Sequence, residues 1–390
     1  MTAPIPNAVP FLGGNEWKYV KECLDTNWVS SVGAFVDRFE REVAEYVGAR
    51  HGVATCSGSA ALHVALLVAG VGPGDEVLVP ALTFIATANA VCHCGALPVF
   101  VDVEPRTWTV DIEKLGDFLA RECEVHEGRV VNRATGRTVR AVLPVHLYGH
   151  PADLDGLLAL CAHYPLALVE DAAEALGGRH NDRRVGAHGV VGTLSFNGNK
   201  VITTGGGGMI LTNDGALAER ARALTTQARR PGAEWIHDEI GFNYRLTNVQ
   251  AALGVAQLEQ LDRFVEDKRA TAQWYARRLA GLPGAEPHGE EPWARSSFWM
   301  SSVLLDPAMF GTPPDVIRAA AAEGIQLRPL WYPLHRQPVF AGRQAYRIEV
   351  ADRLHARGVS LPCSVGITEA ERERVLSCLS RAADRARASR

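Results

Sequence analysis

Thr193-Leu-Ser-Phe-Asn-Gly-Asn-Lys200-Val-Ile-Thr-Thr-Gly-Gly-Gly-Gly-Met-Ile-Leu-Thr-Asn213 holds one lysine between two apolar runs, Thr193–Phe196 and Met209–Thr212, each short enough to be a buried strand. Four glycines, Gly205 to Gly208, follow the lysine. A glycine run lets the backbone turn sharply or approach a ligand closely, which places Lys200 at the mouth of a sheet and not on a solvated helix. Upstream, Leu166-Ala-Leu-Val-Glu-Asp171 reads as a further buried strand that ends in two acids. An amine and a strand-end aspartate on adjacent turns suit pyridoxal phosphate (PLP), which needs an amine for its Schiff base and an anion beside its ring nitrogen. A nucleotide-binding P-loop has its glycines before the lysine and Ser or Thr after it. Here the glycines come after Lys200 and the next residue is Val201, so that reading fails on order.

The wider composition bounds the rest. The chain has 390 residues, 47% apolar and 22% charged, ordinary for a soluble globular protein of two or three domains. Lys plus Arg number 40 against 44 Asp plus Glu, a net charge of −4, so no basic field favours nucleic acid. No run reaches the roughly 18 apolar residues of a membrane span. The opening Met-Thr-Ala-Pro-Ile-Pro-Asn lacks the blocks of a signal peptide, which makes the cytoplasm the expected location. The eight scattered cysteines read as reduced thiols. Cys92-His93-Cys94 has no answering ligand pair, so no metal site is expected.

Strand and helix patterns alternate outward from the lysine. Strands are expected at 51–56, 76–80, 97–102, 141–147, 166–171, 193–196 and 209–212, with helices at 35–47, 60–69, from Thr83-Phe84 to about 94, 111–120 and 153–163. Such alternation predicts a mainly parallel sheet with ligand groups at the strands' C-terminal ends. Ser57-Gly58-Ser59 feeds a helix start whose free amides would seat a phosphate. Phe84 stands where it could stack on a flat ring. Residues 124–140 are polar and turn-rich, a surface hairpin carried as an insertion. One long helix is expected from Val249 to about Leu279, then a Gly/Pro-rich linker at 281–292, and a smaller α+β region with strands at 297–305 and 326–331. The expected organisation is an N-terminal arm and helix at 1–30, a large domain at 31–280 and a small C-terminal domain at 281–390.

Ser57-Gly-Ser-Ala-Ala-Leu62, Pro80-Ala-Leu-Thr-Phe84, Pro98-Val-Phe-Val-Asp102, Glu170-Asp-Ala-Ala-Glu174, Ser195–Lys200 and Gly241–Arg245 together resemble the DegT/DnrJ/EryC-type sugar aminotransferases. That resemblance runs from about Pro10 to the C-terminal helix. It implies the aspartate aminotransferase fold, fold type I of the PLP-dependent transferases, with a mainly parallel seven-stranded sheet in the large domain. It also implies roles. Lys200 would be the Schiff-base lysine and proton shuttle, Asp171 the ring-nitrogen partner, and Phe84 the ring's stacking partner. The amides of Gly58 and Ser59, with the Ser195 hydroxyl, would hold the phosphate, and Asn243 would reach it from the second subunit of a homodimer. Glu174 fills a position that is Gln or His in many members. Trp28–Gly33, the Lys200 stretch and the Asn132–Arg137 insertion look most like the legionaminic-acid branch, which aminates C4 of UDP-linked 4-keto-6-deoxy-N-acetylhexosamines. Leu330-Trp-Tyr-Pro-Leu-His335 is closer to the perosamine synthases, and its Tyr332 and His335 are the implied substrate-binding residues.

The expectation is therefore a homodimeric aminotransferase taking its amino group from L-glutamate and giving it to a nucleotide-linked ketosugar, a UDP-linked 2-acetamido-2,6-dideoxy-hexos-4-ulose. The alternatives are a GDP-perosamine synthase-like 4-aminotransferase and a non-enzymatic sensor that keeps the fold. A PLP-dependent sugar dehydratase would carry His where Lys200 stands.

Overall fold

The computed structural model describes residues 3–388, apart from 231 and 233. The central sheet runs, from one edge, His51–Thr55, Gly208–Thr212, Val191–Ser195, Ala167–Asp171, Thr138–Val142, Glu76–Pro80 and Leu97–Val101. From Val191–Ser195 to Leu97–Val101 neighbouring strands are parallel; Gly208–Thr212 runs against both of its neighbours. The seven expected strands are all present, and a two-residue strand, Ala345–Tyr346, adds to the Leu97–Val101 edge. The parallel core is apolar along its length, as a sheet covered on both faces requires.

Several expected elements differ. The expected 281–292 linker holds the strand Ala285–Pro287, and the strands expected at 297–305 and 326–331 shorten to Ser301–Leu305 and Arg328–Pro329. Two larger departures have a clear physical cause. The strand expected at 141–147 is Thr138–Val142, beginning inside the polar stretch and ending before Pro144. Leu143, Val145 and Leu147 are still buried, but a proline without an N–H cannot continue the ladder. The helix expected from 249 to 279 is two, Asn248–Leu258 and Leu261–Leu279, parted at Glu259–Gln260. The first packs on the helices Glu16–Asp25 and Ala34–Val47, while the second carries Tyr275 and Leu279 into a separate apolar cluster. One straight rod could not serve both. The insertion is a hairpin, Cys123–His126 with Arg129–Asn132, turned by Glu127 and Gly128 in the left-handed region that tight hairpins favour.

The second sheet has the order Ala285–Pro287, Ser301–Leu305, Gly358–Leu361, Arg328–Pro329. Val303, Phe310, Val316, Val359 and Leu379 share its apolar cluster with Ile5 from the start of the chain. The arm is tied there by backbone: Ile5 N donates to Gly324 O (2.8 Å), Cys363 N to Asn7 O (2.8 Å), and the Asn7 amide to Ser360 O (2.9 Å). No helix among the described residues is long and apolar enough to cross a membrane.

Candidate active site

The parallel strands deliver their C-terminal ends to one place, a cavity of about 410 Å³. It is bordered by Gly58, Ser59, Phe84, Asp171, Glu174, Ser195 and Lys200, seven of the residues singled out in the sequence. Each arrives for a local reason. The strand His51–Thr55 hands over to the helix Gly58–Val68, whose cap is Ser57: its Oγ accepts from Ala60 N at 3.1 Å. The amides of Gly58 and Ser59 stand among the four that a helix start leaves without intrahelical partners. Gly58 is required by crowding, because a Cβ there would come within 2.7 Å of Ser195 Cβ; without it, the Ser195 hydroxyl lies against the first helical turn. Gly208 serves the same junction, since a Cβ on it would sit 2.5 Å from Ser57 O.

Past Ser195 the chain leaves the sheet, carries Lys200, and returns. Phe196 N donates to Gly207 O and Thr204 N to Phe196 O, both at 2.9 Å, which closes the excursion at its neck. Val201 and Ile202 are buried, so the lysine stands on a packed loop. Its ammonium is 3.7 Å from Glu174 Oε1 and 3.8 Å from the centre of the Trp299 ring. The Trp299 indole N–H donates to Asn199 O at 2.7 Å, fixing the backbone just before the lysine.

Asp171 and Glu174 are buried beside this amine. Asp171 accepts from Thr87 Oγ1 (2.8 Å) and from Ala173 N (3.1 Å). Glu174 accepts from Tyr148 N (2.9 Å) and from the Trp331 indole (3.2 Å). Burial pushes both carboxyls above the usual carboxylate range, against the hydrogen bonds and the nearby Lys200 charge. Burial also pushes Lys200 below the ordinary lysine value, with Glu174 and Asp171 opposing. All three lean toward their neutral forms. For a lysine that is the nucleophilic form, and it is bought without any strongly basic neighbour.

Three expected residues lie elsewhere in this chain. Asn243 is exposed, bridged to Thr226. Tyr332 is 47% exposed, its ring edge-on to His355. His335 faces Asp352 at 3.4 Å. None of the three borders the cavity. Conversely, sequence reasoning gave no role to Thr87, Tyr148, Trp299, Arg328 or Trp331. Thr87 carried a readable signal, one helical turn beyond Thr83, whose hydroxyl it meets at 3.2 Å. Tyr148 sits at φ 52°, a left-handed conformation that no pattern announced. Its hydroxyl accepts from Trp331 N at 2.8 Å, which locks the 328–331 segment of the second sheet onto the cavity.

The donor set fits PLP: unpaired helix-start amides and a hydroxyl for a phosphate, a strand-end carboxylate for a ring nitrogen, and a buried amine between them. The sequence model of the DegT/DnrJ/EryC1/StrS aminotransferase family matches residues 10–380. The chain is 42% identical over 374 residues to the GDP-perosamine synthase of Caulobacter vibrioides, covering 95% of this chain and 96% of that one. It is 40% identical to the putative pyridoxal phosphate-dependent aminotransferase EpsN of Bacillus subtilis, over 95% and 93% of the two chains. Among solved structures, that of S. venezuelae DesV in complex with a ketimine intermediate superposes with a TM-score of 0.84 at 32% identity, over 95% of this chain and 94% of that one.

Proposed function

From the premise that this chain belongs to the DegT/DnrJ/EryC1/StrS family and is a PLP-dependent aminotransferase of fold type I, we propose that it moves an amino group from L-glutamate to C4 of a nucleotide-linked 4-keto-6-deoxy sugar. The observation that carries the chemistry is the place of the buried Lys200 amine, 3.7 Å from Glu174 Oε1 in the cavity that Asp171 also borders. Bound PLP supplies the electron sink that makes a proton on the donor's Cα removable. The chain's residues do the rest. Lys200 would hold the cofactor, Asp171 its ring nitrogen, the Gly58 and Ser59 amides with Ser195 its phosphate, and Phe84 its ring face. Once free, Lys200 Nζ takes the Cα proton of the donor and, in the second half of the cycle, delivers one to C4 of the sugar.

Two features speak to the sugar. The Lys200 stretch and the Asn132–Arg137 turn favour a UDP-linked N-acetyl sugar. The first borders the cavity, but in the second Asn132 bonds Glu76 (2.7 Å), the first residue of its strand, whereas the cavity lies at the strands' other ends. The Leu330–His335 stretch brings Trp331 to the cavity wall, and it resembles the perosamine synthases, as does the relationship to the Caulobacter enzyme. We therefore place GDP-linked 4-keto-6-deoxymannose first and the UDP-linked 2-acetamido-2,6-dideoxy-hexos-4-ulose second. The test is kcat/KM for the two ketosugars with glutamate as donor. A site built for one 2-substituent leaves polar groups unpaired with the other, so the preference should be large. A preference for the UDP sugar reverses the order and leaves the chemistry standing.

We further propose a homodimer in which Asn243 serves its partner's phosphate site, supported by its exposed place outside its own cavity. Mixing Lys200→Ala with Asn243→Ala subunits, each inactive alone, should restore activity. Heterodimers that form and stay inactive refute the sharing.

A further inference from the structure

Lys200 meets one group of the cavity that attracts it without carrying a charge. Its ammonium lies 3.8 Å from the centre of the Trp299 ring, well inside the roughly 6 Å at which a ring face attracts a cation. Glu174 Oε1, at 3.7 Å, is beyond hydrogen-bond length. The same indole donates to Asn199 O at 2.7 Å, so one side chain grips both the tip of the lysine and the backbone just before it. The ring is itself held fast. Trp299 is 1% exposed and stacks against Tyr148 and Trp331, with ring centres 6.3 and 6.4 Å away. Its carbonyl accepts from the buried Lys268 ammonium (3.1 Å), which also holds Cys363 O (2.9 Å). Gly149, at φ 104°, makes room for this backbone: a Cβ there would come within 2.7 Å of Trp299 N.

We propose that Trp299 is the positioning residue of Lys200: its ring face is where the amine rests whenever it is not bonded to the cofactor, and there it keeps the proton in transit. The inference rests on the reading of Lys200 as proton carrier and is independent of which sugar follows. That role sets two demands on one nitrogen. It must take a proton from a carbon, whose bonding electrons stay behind, and it must keep that proton until a carbon takes it back. Burial works against the second demand, since it favours the neutral amine. The other charged groups bordering the cavity are Asp171, Glu174 and Arg328. Arg328 repels an ammonium. Either acid attracts one, but a carboxylate can also accept the ammonium's proton, and burial raises both acids toward that outcome. A ring face attracts the ammonium and has no site for its proton. Trp299 therefore stabilises the charged form of the carrier without competing for what it carries.

The test compares Trp299→Phe, which keeps a weaker ring face, with Trp299→Leu, which keeps none. In the full chain without cofactor, labelling of Lys200 with acetic anhydride, read by mass spectrometry across pH, gives the point at which the amine is half protonated. That point should fall by about 1 pH unit in Trp299→Leu and by less in Trp299→Phe. In the holoenzyme, the glutamate half-reaction should slow about 3- to 10-fold at the plateau of its pH profile, with half-saturating glutamate unchanged. Deuterium at the donor's Cα should slow the variants by a larger factor than wild type, because the proton step has become the slowest. An unchanged point of half-protonation in both variants overturns the proposal. So does a lowered point with an unchanged isotope effect, which leaves the ring a neighbour of the amine and nothing more. A rise in half-saturating glutamate that accounts for the whole loss marks damage to the cavity and overturns it too. If Trp299→Leu does not fold, the direction of the shift in Trp299→Phe decides. A Lys200→Ala enzyme that turns over like wild type refutes the carrier itself. With Lys200→Ala inactive, silent Trp299 variants refute the role of the ring alone.

Discussion

Glu170 and Asp171 are neighbours on one strand, both buried, and their pKa values are shifted in opposite directions. Glu170 points away from the cavity. It accepts from Gly186 N (2.8 Å), His188 N (2.6 Å), Gly189 N (2.7 Å) and His146 Nε2 (3.1 Å). The His146 ring is set for this, because its Nδ1 accepts from Ala152 N (2.9 Å) and leaves the proton on Nε2. Burial alone would raise Glu170, but the His146 hydrogen bond and the other donors hold it down at about 2. Asp171 has two donors, and burial prevails. Equal burial therefore does not decide the charge of a carboxylate; the number of donors aimed at it does. The structural acid is saturated. The acid on the cavity is left short, and the missing donor is what a protonated ring nitrogen would supply.

Substitutions can break this contrast. The largest effect belongs to Lys200→Ala, which removes nucleophile and proton carrier together and should cut turnover by about three orders of magnitude or more. Its thermal unfolding should stay close to wild type, since an amine that burial disfavours contributes little to the fold. Asp171→Asn comes next: turnover should fall about 10²- to 10⁴-fold. In the cofactor-free protein its stability at neutral pH should equal or exceed that of wild type. The sign follows from the raised folded pKa, which makes the ionised form a cost that grows as pH rises above the unfolded value. Glu170→Gln reverses the pattern. It turns an amide toward four donors and should lower stability by about 2–4 kcal/mol in urea titration.

Acid unfolding sharpens the same point. A folded value of about 2 for Glu170, against roughly 4.3 for an unfolded glutamate, means that its contribution is complete above the unfolded value and lost as pH falls toward 2. The gap in urea midpoint between wild type and Glu170→Gln should therefore close on acidification through that window. Tyr332→Ala should do least to the fold, within about 0.5 kcal/mol, because its ring is half in solvent. A rise in KM for the ketosugar, with the glutamate half-reaction unchanged, would give that ring the substrate role its sequence context implies.

The parts legible in the sequence are those in which chemistry and secondary structure coincide over a short stretch. Ser57-Gly58-Ser59, Asp171 and the Lys200 loop each sit at a strand end, and strand ends are what apolar runs and glycines mark. Trp299 arrives just before the strand Ser301–Leu305 and Arg328 on the strand Arg328–Pro329, both far along the chain with nothing local to tie them to Lys200. Glu170 was visible only as a second acid beside Asp171; its donors come from Gly186, His188 and Gly189 on a loop and from His146. The break at Glu259–Gln260 has neither Gly nor Pro to announce it and follows from what the two helices pack against. Pro144 ends the strand after Val142, but the apolar residues on either side of it carry the strand pattern past that point.

The arm bears on how this protein is made. The amide of Asn7 is held by Ser360, which the ribosome adds 353 positions later. Ile5 waits likewise for Ile325. Every strand of the central sheet except the short edge piece at 345–346 has been synthesised by Thr212, so that sheet can assemble while the arm still has no partner. Closing a loop that spans nearly the whole chain is slow, and it completes the second apolar cluster. Until those partners are made, the segment around Ile5 and Asn7 stays unpaired on the nascent chain, an apolar stretch that a chaperone can cover.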